Sequence, residues 1–230
     1  MANNNTAGYG CRQAMTVGNT PATGGQSEFI VQGGGSPGAT VAIFKGAPVA
    51  MQTAAGVPGT LGYIQDQTAA AMTDGVVGGN TWAMNTTNTN GSLGVFNGAS
   101  FVDANGKPTW TNGLAAAQTS SVDYNTGNSY ITAYVNTNPL QEYVARADAA
   151  VVIGSFNTLT NTGWNLSDAG AGVNGQSDCT LDISGVATTG VADYMWKLVR
   201  SADVEDQKDL SAAGADIVIS YNPQSNAYQA

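Results

Sequence analysis

Nine short runs of β-branched and aromatic residues, many of them bounded by Gly, Asn or Pro, limit what this chain can fold into. They are SEFIVQ (27–32), TVAIF (40–44), PVAMQ (48–52), SLGVF (92–96), SYITAYVN (129–136), EYVARAD (142–148), TLDIS (180–184), YMWKLV (194–199) and DIVISY (216–221). Runs of this length, punctuated by turn residues, predict strands that pair with one another through short connections. In SYITAYVN, Tyr130, Thr132, Tyr134 and Asn136 alternate with Ile131, Ala133 and Val135, the period of a strand with one buried face. No segment sustains a 3.6-residue apolar period. The expected fold is therefore mainly β: an antiparallel β-barrel or sandwich with an extended N-terminal arm and one or two short helices. VEDQKDLSAAG (204–214), ending on Gly214, is the clearest helix candidate, and residues 65–75 are a second.

Only 10 % of the 230 residues are charged, against roughly 25 % in ordinary soluble domains. Four tryptophans and nine tyrosines spread along the chain argue for a folded core rather than disorder. Residues 1–26 are rich in Asn, Thr and Gly with few bulky side chains, and are expected to form the arm, held by a partner. Residues 27–230 are expected to form a β-rich domain, with a subdivision near Asn90. On this reading, deletion of residues 2–26 leaves a folded domain.

Sixteen acidic residues against seven basic give a net charge of −9, which argues against a nucleic-acid groove. Residues 1–100 are nearly neutral, with Arg12 and Lys45 against Glu28, Asp66 and Asp74, so the negative charge is concentrated beyond them. Cys11 and Cys179 match no metal spacing, and no apolar run is long enough for a membrane span. The segment MANNNTAGYG has neither the basic region nor the apolar core of a secretory signal, so synthesis in a cytosol with both cysteines reduced is expected.

The chain contains no histidine, which removes Ser-His-Asp triads, Cys-His pairs and His-ligated zinc. The remaining acidic clusters are Asp178 with Asp182, and Asp203, Glu205 and Asp206 beside Lys208, the latter read as a solvated face. GAGVNG (170–175) matches G-x-G-x-x-G but runs into a strand, so it reads as a glycine loop rather than a dinucleotide site. The Asn-x-Ser/Thr sequons at Asn4, Asn85, Asn90 and Asn165 are those that an Asn- and Thr-rich chain generates by chance. No enzyme activity, cofactor or metal is expected.

In FVDANGKPTW, Asn105-Gly106 is expected to supply the positive dihedrals of a tight hairpin, with Phe101 and Trp110 on its arms. Pro108 cannot donate to a sheet ladder, so at least one arm must be an edge or an irregular loop. Such an aromatic hairpin either caps a barrel end or anchors a neighbouring subunit.

The surrounding run, SLGVFNGASFVDANGKPTWTNGL, resembles a segment of tailed-bacteriophage virion proteins of the environmental and marine type, in which L-G-V-F leads to an aromatic-x-D-x-x-G-K-P hairpin. The resemblance extends to GQSEFIV and ATVAIFKGAPVAM, where Ala47 replaces an acidic residue, to ITAYVNTNPLQEYVARADAAV, and to the closing LVRSADVEDQKDLSAAGADIVISYNPQSNAY. MTDGVVGGNTWAMNTTNTN matches least. The resemblance implies a capsid decoration or cement protein: β-rich, homo-oligomeric with a trimer favoured, and bound to the major capsid protein on the outer surface of the head. Made in a bacterial cytoplasm, it would reside in the virion. Within that picture, Tyr9, Arg12 and Met15 are the expected capsid-contacting residues of the arm. The alternatives are a tail tube or other phage structural protein, and a carbohydrate-binding or hydrolytic β domain using Trp82, Trp110, Trp164 and Trp196.

Overall fold

The structure, a computed structural model, describes residues 4–17, 20–21, 25–31, 42–51, 63–66, 92–115, 118–121, 131–156, 165–166, 173–183, 196–202 and 207–221. Its strands are β1 (Arg12–Thr16), β2 (Thr20–Pro21), β3 (Gln26–Val31), β4 (Ile43–Phe44), β5 (Pro48–Met51), β6 (Tyr63–Asp66), β7 (Ser92–Val102), β8 (Pro108–Thr111) and β9 (Gly113–Leu114). They continue with β10 (Thr132–Asn136), β11 (Gln141–Arg146), β12 (Asn165–Leu166), β13 (Leu181–Asp182), β14 (Trp196–Ser201) and β15 (Asp216–Tyr221). Each of the nine runs read as a strand contributes to one of these. The chain is mainly β, as the sequence predicts.

The strands build two bodies. In the first, β10, β3, β6, β5 and β7 follow one another edge to edge, and β7 pairs back with β10, so the ladder closes on itself. All its pairings are antiparallel except β3 with β6. Val31, Ile43, Val49, Phe96, Ala99, Leu114, Ile131, Ala133 and Val135 fill its interior. In the second, β14, β15, β11, β1 and β2 form an antiparallel sheet over Tyr143, Ala145, Trp196, Leu198, Ile217, Ile219 and Tyr221. Trp196 stacks on Tyr221 at 4.7 Å between ring centroids, and Tyr143 meets Trp196 edge-on at 5.5 Å, geometry favoured by the ring quadrupoles.

β7 joins the two. Adjacent residues of a strand point to opposite faces, and here Val95 enters the core of the sheet while Phe96 enters the core of the ring. The 11 residues of β7 offer one edge to β10 and divide the other between β5 and β8.

The N-terminal segment is extended, as expected, but it belongs to this chain's own sheet. Arg12 and Gln13 lie opposite Val144 and Tyr143 of β11, and Tyr9 and Cys11 are buried. An Asn- and Thr-rich stretch with few bulky residues conceals a strand because its partners are supplied from more than 100 residues away. The helix predicted for 204–214 is also corrected. Residues 210–214 form turns, with Gly214 at φ +88° and Gly214 N–H bonded to the Ala147 carbonyl, while 203–206 lie outside the described residues. Residues 63–66 are a strand rather than the start of a helix, and the remainder of 65–75, like the suggested break near Asn90, falls outside the described residues. The short helical turns lie instead at Ile153–Ser155 and Val173–Gly175. No helix among the described residues is long and apolar enough to cross a membrane.

Candidate interaction sites

Where the ring meets the sheet, three backbone segments cross. Cys11 N–H donates to the Gly46 carbonyl, Gly46 N–H to the Phe96 carbonyl, and Gly10 N–H to the Cys179 carbonyl. A Cβ at Gly8 would collide with the Asp178 carbonyl, one at Gly10 would crowd the Gly46 carbonyl, and Gly10 and Gly46 hold φ of +73° and +90°, a region that favours glycine. This crossing brings Tyr9 and Arg12 together, two of the three residues expected to touch a capsid.

Their environments differ. The Tyr9 ring is buried, with the Arg12 guanidinium 3.9 Å from its centroid and that of Arg146 at 4.7 Å. Burial, followed by the neighbouring Asp216 charge, raises the Tyr9 phenol well above its ordinary value. Arg146 in turn donates from Nη1 to the Ala7 carbonyl at 2.7 Å. Tyr9 is therefore an internal anchor, whereas Arg12 is exposed and lines a cavity of about 190 Å³ together with Val95, Phe96 and Tyr143. Met15 stands apart. It is 45 % exposed, Val17 and Leu140 are exposed apolar residues as well, and the Val17 N–H donates to the Leu140 carbonyl.

The hairpin forms a second site. Asp103 Oδ1 accepts from Asn105 N–H at 2.8 Å and from Lys107 N–H at 2.9 Å, while Gly106 N–H closes the turn onto the Asp103 carbonyl. Only Gly106, at φ +79°, has a positive dihedral; Asn105 does not, so the turn is organised by the Asp103 carboxylate rather than by an Asn-Gly pair. Pro108 opens β8, which is the edge strand, as its missing N–H allows. Trp110 does not cap the barrel. It lies against Tyr134 at 4.8 Å with the Gly98 backbone beneath it, and 53 % of it faces solvent.

The other sequence candidates fall elsewhere. Asp182 lies in β13 opposite Asn165, and Asp178 precedes that strand. Asp203, Glu205 and Asp206 are outside the described residues, and Lys208 is exposed. Val173–Gly175 is a turn with Asn174 at φ 61° leading to a bridge between Gln176 and Lys45, in keeping with a glycine loop; residues 170–172 are outside the described residues. Trp196 is core, and Trp82 and Trp164 are not among the described residues. Asn4 donates from Nδ2 to the Asp209 and Ala213 carbonyls and Asn165 sits in β12, while Asn85 and Asn90 are outside the described residues. Cys11 and Cys179 share one buried cluster without a disulfide between them, and burial raises the Cys11 thiol. Among the described residues, no group of three or more His, Cys, Asp and Glu side chains could hold a metal ion.

Sequence reasoning missed the cavity. Its one signal was Asn136, a polar residue at the end of an alternating strand that is nonetheless 1 % exposed. Compared with known protein families, with curated proteins and with solved structures, the chain has no match.

Proposed function

We propose that this chain is a virion structural protein, a decoration or cement protein that binds the outside of a tailed-phage head and stabilises junctions between major capsid subunits. The observation that carries the proposal is Trp110. It is a large aromatic side chain, more than half exposed, on an edge strand and backed by Tyr134, an arrangement suited to anchoring a neighbouring protein. It lies in the segment that resembles phage virion proteins. Met15, Val17 and Leu140 offer further apolar contacts.

β1 is engaged with β11, so contact to the lattice falls to exposed side chains rather than to added backbone ladders. Individually weak contacts repeated by an oligomer, with a trimer favoured, give high avidity on a fixed lattice.

The test is co-sedimentation of the purified protein with empty heads assembled from the cognate major capsid protein, with native mass measured on the same sample. Saturable binding that is lost in a folded Trp110→Ser variant is expected. Failure of the wild-type protein to bind heads overturns the reading and favours a tail component.

A further inference from the structure

The geometry points to a binding site for a small organic dianion, of the dicarboxylate class, in the cavity between ring and sheet. This inference does not rest on the virion reading, and its test uses the isolated protein. The cavity of about 190 Å³ is lined by Val95, Phe96 and Tyr143 together with Arg12, Gln13, Lys45, Asn97, Asn136 and Gln176. A second cavity, of about 330 Å³, adjoins it across Tyr9, Arg12 and Gln176.

Charge is the first argument. The chain carries seven basic residues and a net charge of −9, yet Arg12, Lys45 and Arg146 gather around these two cavities, and no carboxylate lines either of them among the described residues. Arg146 is neutralised by Asp216. Arg12 and Lys45 have no carboxylate partner among the described residues, which leaves two positive charges at the cavity. Arg12 is held in place by the Tyr9 face beneath its guanidinium, so a planar fork is already positioned for a carboxylate.

Asn136 is the second and independent argument. Its Oδ1 accepts the Asn138 N–H at 3.1 Å, which fixes the orientation of the amide and leaves Nδ2 as the donor on the other side. That Nδ2 is buried with no hydrogen-bond partner. An unmatched buried donor is costly, and a bound acceptor relieves the cost. Two cations, apolar lining residues and an unused amide in one cavity fit a short carbon chain carrying a carboxylate at each end.

Succinate is the probe. Isothermal titration at constant ionic strength, with acetate and inorganic phosphate as parallel arms, is expected to show saturable succinate binding that exceeds both. Arg12→Gln and Lys45→Gln, both substitutions at solvent-accessible positions, are each expected to weaken it at least about tenfold. Asn136→Asp keeps the acceptor for Asn138 but replaces the donor with a like charge, and is expected to abolish binding; circular dichroism checks its fold, and the Arg12 and Lys45 variants carry the test if it unfolds. The proposal is overturned by three outcomes: no saturable binding of succinate, tighter binding of phosphate, or succinate binding unchanged in the Arg12→Gln/Lys45→Gln double variant.

Discussion

Arg146 and Asp216 stand directly opposite each other in the register of β11 and β15, and Nε of the first donates to Oδ1 of the second at 3.0 Å with both side chains buried. Removing one member of such a pair strands a charge in the interior. Arg146→Met is therefore expected to cost about 3–5 kcal/mol in urea unfolding, whereas Arg146→Met with Asp216→Leu recovers most of that loss. A single-variant cost within about 0.5 kcal/mol of zero would show that the pair is solvated.

Alkaline pH should destabilise the fold. Tyr9, Tyr143 and Cys11 all have values raised above their ordinary ones, chiefly by burial. Above the ordinary values of 9.0 for the thiol and 10.0 for the phenols, the unfolded chain loses protons that the folded chain keeps, so the unfolded state binds fewer protons and stability falls as pH rises. The stabilisation is complete below pH 9 and declines through the alkaline range by about 1.4 kcal/mol per pH unit for each group fully engaged. Chemical denaturation at a series of pH values measures the slope; a flat profile between neutral pH and pH 11 would contradict it.

Gly8→Ala places a methyl group where the Asp178 carbonyl lies, backbone against backbone, with no flexible side chain to move aside. A loss of about 2–4 kcal/mol, or failure to fold, is expected. Gly25→Ala, where an added β-carbon meets nothing within 4 Å, is the control and should be neutral or stabilising by up to about 1 kcal/mol. Thermal melts of the two proteins side by side decide the matter.

Deletion of residues 2–17 removes β1 and the buried Tyr9 and Cys11. The expected product is insoluble or molten, with lost near-ultraviolet circular dichroism, because β11 loses a neighbour and the sheet core loses a wall. A truncated protein that melts cooperatively would return residues 4–16 to the status of a detachable arm.

The strands were legible wherever apolar and polar residues alternate, as in β10, or form a dense β-branched run, as in β15. Pro108 narrowed its arm to an edge or an irregular loop because the rule behind it is local, and the structure has the edge. β1 was not legible: RQAMT has no strong strand pattern, and what makes it a strand is Tyr143 and Val144 far along the chain. The helix over 204–214 failed because local propensity was outweighed by tertiary bonds, among them Asn4 Nδ2 to the Asp209 and Ala213 carbonyls. Of the three residues singled out in the N-terminal segment, Arg12 faces the cavity, Tyr9 supports it from within, and Met15 serves a different surface. The cavity itself needed the fold, since Lys45, Asn97, Asn136 and Gln176 become neighbours only when ring and sheet meet.

β15 lies between β14 and β11, buried along its whole length, and it is the last of the described strands to leave the ribosome. Every strand of the closed ring has been synthesised by Asn136, some 80 residues earlier. During translation the ring can therefore shut while β1, made first of all, still waits for the sheet that will receive it. That order puts assembly of the second body after that of the ring and makes it slow, because its ladder joins strands far apart in the described chain.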